Sequence, residues 1–514
     1  MMNQANKNFA TNIVHIVANI IVGVLYTPYL VKTVGIVVYG VVPLALVINQ
    51  YINVISLSLI NALTRFYSVE YRGNNMEKAS SYFSTSIIVG IVFSLILYPI
   101  LHVGINYVRY VFDIPEALIS DAQWLFRFTV ASFFVSIISN CVNTTLYADN
   151  RLDDVNYLKI TRQLSKFGFN IALFLLFDVN IFYIGLANLL SESLVLLLSV
   201  YFYRKTKPQG VRFSFFLYNK GLLFTMLSMI AWVLLQRFSD TFLYKIDSIL
   251  MNVYFGIKMT GIIGAVSEFG SYVVSITSIL ASLFGPLMLI AYSKKNICEY
   301  ETITVDGGYL VGLFTSLFTG LLCGSASILL SLWLGKEYGN YGSWMIIKII
   351  VIPFTSVGAM YSNSYLYANR NKYPALVSLS LAILNILFNI VLLHFIKSVY
   401  VFMIACMIFM VMQGFLMQVY FYNSLYHGCL KKIFQTTAKF ILCGFCVSIT
   451  TYMFTVIFNV HSIYVLMCIY MVVACLWLIL IDVWFVNNKQ RDMLIKLVPV
   501  YGKIRRFITK YNQQ

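Results

Sequence analysis

The chain has 514 residues and a mass of 58.7 kDa; 60% of its residues are hydrophobic, 11% are charged, and the mean hydropathy is +0.81. Soluble domains carry about a quarter charged residues, so an ordinary soluble enzyme is excluded. The 36 bases against 19 acids give a net charge of +17, but the bases are scattered between apolar runs, which argues against a nucleic-acid partner.

A spanning helix needs roughly 20 apolar residues. In chain order the sequence predicts about fourteen, the first six near 10–31, 37–66, 80–104, 119–147, 156–178 and 181–203. Six more fall near 225–255, 261–291, 306–334, 342–367, 373–396 and 399–425, and two at 434–457 and 461–486. The predicted fold is therefore an all-α polytopic membrane protein with about 14 transmembrane helices. Lys7 alone leads into the first span, no small-residue cleavage site follows, and that segment is expected to stay as a helix.

Bases set the expected orientation. With the N-terminus inside, one side collects 27 Lys and Arg, including Arg151, Lys159, Arg162 and Lys166 around the start of helix 5. The other side holds five: Lys32, Arg109, Lys258, Lys336 and Lys397. Such a bias places both termini in the cytoplasm and accounts for the basic charge as topology and contact with anionic membrane lipids.

The sequence repeats itself at an offset near 220. Asn143-Thr144-Thr145-Leu146-Tyr147-Ala148 returns as Asn363-Ser364-Tyr365-Leu366-Tyr367-Ala368, Phe169-Asn170-Ile171 as Phe388-Asn389-Ile390, and Gly35 and Gly40 as Gly256 and Gly261. A six-helix unit duplicated in parallel gives an N-terminal lobe at 1–205 and a second at 206–428. Two additional transmembrane helices at 429–488 and a basic cytoplasmic tail at 489–514 follow. Two such lobes imply transport by alternating access, with a channel or scaffold as the other reading.

Ionisable groups inside apolar helices mark candidate sites. In helix 7, Arg237, Asp240, Tyr244 and Asp247 share one face, with Lys245 beside them. That stripe reads either as a site for an anionic, sugar-bearing substrate with Arg237 on phosphate, or as a neutralised face holding helix 7 to its neighbours. Helix 8 aligns Glu268, Ser271, Ser275, Ser278 and Ser282, suited to sugar hydroxyls and ion exchange or to close helix packing. Helix 1 aligns Asn12, His15 and Asn19, and helix 2 places Asn49, Asn53 and Ser56. The expected substrate contacts are Arg237, Lys245, Asn53, Ser271 and Ser275; the expected ion-coupling groups are Asp240, Asp247, Glu268 and His15.

No P-loop, H-E-x-x-H or metal-ligand spacing of histidines is present. Nor does the Cys443/Cys446 pair, inside an apolar run, suit zinc or redox work. The expectation is a transporter that is not an enzyme and has no cofactor, with coupling to H⁺ or Na⁺ left open.

Pro28-Tyr29-Leu30-Val31-Lys32-Thr33-Val34-Gly35 with Tyr39-Gly40, Leu63-Thr64-Arg65-Phe66-Tyr67, Ile246-Asp247-Ser248-Ile249-Leu250 and the two Leu-Tyr-Ala helix ends resemble Wzx-type polysaccharide flippases. These belong to the multidrug/oligosaccharidyl-lipid/polysaccharide exporter superfamily. The resemblance implies a flippase of the bacterial inner membrane. Its cargo would be undecaprenyl-diphosphate-linked oligosaccharide for O-antigen (lipopolysaccharide), capsule or exopolysaccharide biosynthesis, with a polymerase and glycosyltransferases as partners. The alternative is an ion-coupled multidrug or small-molecule antiporter of the same superfamily, expected to have a mostly acidic cavity and usually twelve helices.

Overall fold

The computed structural model describes residues 4–206, 210–368, 370–426 and 430–497, and every regular element among them is helical. The long helices begin with α1 (Gln4–Val34), α2 (Val41–Arg72), α3 (Met76–Asn106), α4 (Ile119–Ala148), α5 (Leu152–Leu176) and α6 (Phe182–Thr206). They continue with α7 (Lys220–Phe255), α8 (Ile257–Ser293), α9 (Ile297–Gly324), α10 (Ala326–Trp333), α11 (Gly342–Ile349) and α12 (Ile352–Tyr367). Then come α13 (Lys372–Phe395), α14 (Val399–Val411), α15 (Met417–Tyr426), α16 (Leu430–Ile457), α17 (Ile463–Leu480) and α18 (Asn488–Leu497).

Eleven helical stretches among the described residues are long and apolar enough to cross a membrane, so the protein is an all-α, multi-pass membrane protein. α2, α5 and α7 are also long, at 32, 25 and 36 residues. Two predicted spans are interrupted. The one expected at 342–367 is split between α11 and α12 just ahead of Pro353, which has no N–H to continue a ladder. The one expected at 306–334 ends α9 at Gly324 and restarts at Ala326. The basic tail beyond Leu497 lies outside the described residues.

Contacts divide the chain into two units, Met1–Ala265 with Ser378–Val399, and Val266–Val377 with Tyr400–Gln514. In the first, α1 packs on α5, α6 on both α4 and α5, and α2 on α4 and α7. Leu146 at the end of α4 packs with Val155 and Leu158 of α5 and Val195 of α6 in a fully buried cluster. In the second, α9 packs on α12 and α16, and α12 on α15.

A few backbone features recur at the offset of the sequence repeat. Gly35 and Gly256 both turn the chain with positive φ, 81° and 85°, a conformation that glycine adopts without strain. Asn74 and Lys295, 221 apart, are left-handed, at φ 58° and 56°, and each precedes an Asn that caps the next helix. Asn75 accepts from Lys78 N at 3.3 Å and Asn296 from Glu299 N at 3.2 Å. The two copies also meet reciprocally: a side chain at Gly40 would collide with the Ile257 carbonyl, and one at Gly261 would lie 2.6 Å from the Ile36 carbonyl oxygen.

One end of the α1–α5 pair is clasped by polar groups. Lys7 Nζ lies 2.5 Å from Asp153 Oδ2, Gln4 Nε2 donates to Asp153 Oδ1 at 2.8 Å, and Asn8 Oδ1 accepts from Asp153 N at 3.0 Å. Asp153 precedes the apolar stretch of α5. Burial alone would raise its pKa, but the Lys7 hydrogen bond and charge, with Gln4, hold it below the ordinary carboxylate value. A depressed carboxylate stabilises the fold above its unfolded pKa of about 3.9 and loses that contribution as pH falls through the folded value. Thermal unfolding in detergent is therefore expected to show an acid-side loss of stability that is smaller in Asp153→Asn. Asp153→Ala, which strands Gln4 and Asn8, is expected to cost about 1–3 kcal/mol at neutral pH.

Candidate functional site

α7 runs unbroken through its charged stripe, so the expected face exists. Arg237 is exposed, Asp240, Tyr244 and Lys245 are half-buried, and Asp247 is buried. Asp247 accepts from Ser248 Oγ at 3.4 Å. These residues, with His15 and Asn53, belong to the first unit; Glu268, Ser271 and Ser275 belong to the second. Asn53 is helical, but its side chain lies outside the described residues, as do those of Asn49, Ser56, Asn61 and Arg65.

On α8 the serine stripe largely bonds to its own backbone. Ser271 Oγ donates to Glu268 O at 2.7 Å, Ser275 Oγ to Ser271 O at 2.8 Å, and Ser278 Oγ to Ser275 O at 2.8 Å. Such back-bonding uses each hydroxyl proton within the helix and leaves the oxygen lone pairs outward. Glu268 is half-buried on the same helix. Arg127 is held by Asn106 Oδ1 at 2.7 Å and lies 4.8 Å over the Trp124 ring.

A second polar cluster of the first unit lies between α1, α5 and α6. Arg162 Nε and Glu192 Oε1 pair at 2.8 Å, with the two side chains 27% and 14% exposed. Ser191 Oγ donates to the Arg162 carbonyl at 2.8 Å and lies 2.7 Å from Ser165 Oγ, fixing α5 against α6. Lys166 Nζ sits 5.5 Å over the Tyr26 ring of α1. His15 of α1 feels the charges of Lys159 and Arg162, and Lys166 acts on Glu192. Arg162 and Glu192 are each ten residues into a 25-residue helix, about 15 Å from its start.

Four polar atoms of this cluster are buried without a hydrogen-bond partner among the described residues: His15 Nδ1, Tyr26 Oη, Glu192 Oε2 and Arg162 Nε, the last held by the ion pair alone. Buried polar atoms are nearly always satisfied, and exceptions gather where water, protons or ions are handled. A carboxylate paired with a guanidinium on one oxygen and unpartnered on the other has a place for a proton or a cation. The sequence count placed Lys159, Arg162 and Lys166 with the cytoplasmic bases around helix 5, whose start was expected at 156; α5 itself begins at 152. Glu192 was missed outright. The available signal was a lone acid in the apolar run Leu189-Leu190-Ser191-Glu192-Ser193-Leu194.

Among known proteins, the family model MatE matches residues 9–171. A relative in Bacillus subtilis (strain 168), the "uncharacterized membrane protein EpsK", is 26% identical over 396 residues, covering 75% of this chain and 76% of the relative. The inward-facing structure of a multidrug resistance MATE family transporter of the MOP superfamily is similar at TM-score 0.64 and 14% identity, over 85% of this chain and 99% of that one. The MATE multidrug transporter DinF-BH, in its ligand complex, is similar at TM-score 0.66 and 14% identity, over 82% and 96%.

The chain is thus a polytopic membrane protein with the fold of these transporter structures. The comparisons correct the flippase expectation: the matching model is MatE and the similar structures are multidrug transporters, which favours the antiporter alternative. Polysaccharide biosynthesis, O-antigen and lipid-linked oligosaccharide fall with that expectation. The physical reason lies in the residues that carried the resemblance. Gly35 and Gly40 serve a turn and a close helix approach, and Leu146 of the Leu-Tyr-Ala end is core. They report the fold and are blind to its cargo.

Proposed function

We propose that this protein is an ion-coupled antiporter that exports small amphipathic molecules across a bacterial inner membrane. The observation that carries the reading is the similarity, over more than four-fifths of the chain, to structures of multidrug transporters. In this reading fourteen helices span the membrane with both termini cytoplasmic. Lobes 1–205 and 206–428 alternate access, and 429–488 is an appendix. The Arg237–Asp247 face of α7, with Lys245 and Asn53, holds the proposed cargo contacts of the first unit, and Ser271 and Ser275 those of the second. Asp240, Asp247 and Glu268 are further candidates for ion coupling.

The coupling centre of the proposal is Glu192 with Arg162 and His15. In a low-dielectric interior an ionised Glu192 is bound to Arg162, and a proton or cation on the carboxylate weakens that bond. If the paired and loosened states favour different packings of α1 on α5, the ion gradient biases the transport cycle. Drug export is the direct test. Cells lacking their own exporters and expressing this chain are expected to accumulate less ethidium, a fluorescent amphipathic cation, than the vector control. Collapse of the proton gradient or of the sodium gradient, applied separately, is expected to abolish the difference in one case. Equal accumulation with the protein present in the membrane would sink the reading.

A further inference from the structure

The second unit holds a polar cavity of about 250 Å³ that the transport reading does not use. It lies where α16 begins and α17 ends, at the boundary of two spans, and α18 leads away from it. Lys432, Gln435, Thr436 and Lys439 line it from α16 at helical spacing on one face, and Trp484 and Asn487 complete the rim. The space far exceeds the ~30 Å³ of a single water.

The cavity is built. Asp306 of α9 is buried, 3% exposed, and its Oδ1 accepts from Lys432 Nζ at 3.0 Å and from Gln490 Nε2 at 3.1 Å. Gln490 and Asn487 exchange hydrogen bonds of 3.0 Å, each side chain accepting from the other's backbone N–H, which fixes the start of α18. Tyr309 Oη donates to the Phe485 carbonyl at 2.9 Å, pinning the end of the α17 segment. Lys432 is thereby held in place, while exposed Lys439 has no carboxylate within ion-pair distance among the described residues. One buried acid against two lysines leaves the mouth positive.

We infer that this cavity binds a phosphate group, presented by an acidic phospholipid of the surrounding leaflet. Its surroundings favour the lipid source. Trp484 is 73% exposed at the rim, where an indole suits a membrane–water boundary. α18 carries Lys489 and Arg491 together with Met493 and Leu494, the composition of a helix lying in the interface. Basic pockets between spanning helices are the usual receptors of anionic headgroups.

The test uses the full chain, purified and delipidated, with binding of phosphatidylglycerol, phosphatidylcholine and inorganic phosphate read by native mass spectrometry. Preferential retention of phosphatidylglycerol is expected, weakened about fivefold by Lys439→Gln and kept by Lys439→Arg, one lysine near the surface accounting for that factor. Unchanged thermal unfolding of Lys439→Gln controls for folding. Binding of inorganic phosphate that depends on Lys439, without preference among lipids, would keep the phosphate chemistry and move its source to solution. Equal binding of every probe by wild type and Lys439→Gln would overturn the inference.

Discussion

Glu192→Gln is expected to leave a folded protein that no longer couples export to an ion gradient, with ethidium transport falling to the passive leak. The substitution keeps the shape and an acceptor oxygen for Arg162, which pairs with Glu192 Oε1 at 2.8 Å, but removes the site for a proton or cation. Glu192→Ala is a different experiment. It leaves the Arg162 charge without its partner in a poorly solvated place, and breaking a buried pair from one side costs about 3–5 kcal/mol. Replacing both partners by apolar residues of similar volume, Arg162→Met with Glu192→Leu, is expected to restore much of that stability and none of the transport. Thermal unfolding and transport, measured on the three variants together, separate a coupling pair from a structural one. If the apolar double variant still transports against a gradient, the pair is structural only.

The second large effect is expected at Gly358 of α12. A Cβ built there overlaps the carbonyl oxygen of Gly414, in the π-helical turn Met412–Leu416 that joins α14 to α15. The obstacle is backbone rather than a flexible side chain, so relief requires one helix to shift. Overpacking of well-packed interiors costs about 1–3 kcal/mol, occasionally more, and Gly358→Ala is expected at or above the top of that range. Gly358→Val is expected to yield no stable monodisperse protein. Gly104→Ala in α3, where nothing lies within 4 Å of the added carbon, serves as the matched control and should be near neutral. Equal melting temperatures for Gly358→Ala and Gly104→Ala would refute the close crossing of α12 with that turn.

The membrane class was legible because it rests on long-range statistics of the chain. Apolar length sets helix number, and glycines at a constant offset mark turns that only glycine makes easily. The reciprocal approach of Gly40 to Ile257 and of Gly261 to Ile36 explains why those glycines occur in both copies. The left-handed pair Asn74 and Lys295 was not legible, since a single lysine gives no hint of positive φ. Breaks at Ser325 and ahead of Pro353 were missed because both sides of each break remain apolar.

At the candidate site the difficulty was depth. α5 starts four residues ahead of the expected position, so Arg162 and Lys166 stand ten and fourteen residues into the helix. Sequence periodicity does not fix helix starts to better than a few residues. Glu192 shows the opposite failing: its signal, one acid in an apolar run, was present, but its partner Arg162, on another helix, was not recognisable. Cargo was not legible at all. The residues that suggested a polysaccharide flippase are turn, crossing and core positions, and the fold imposes them whatever is carried.

The most direct test of the account is transport by the purified protein in liposomes with an imposed ion gradient of either proton or sodium. The account predicts that ethidium moves against its own gradient only while one ion gradient is maintained, and that Glu192→Gln removes this movement while keeping the wild-type melting temperature. Gradient-independent movement, or full ion-driven transport by Glu192→Gln, would contradict it.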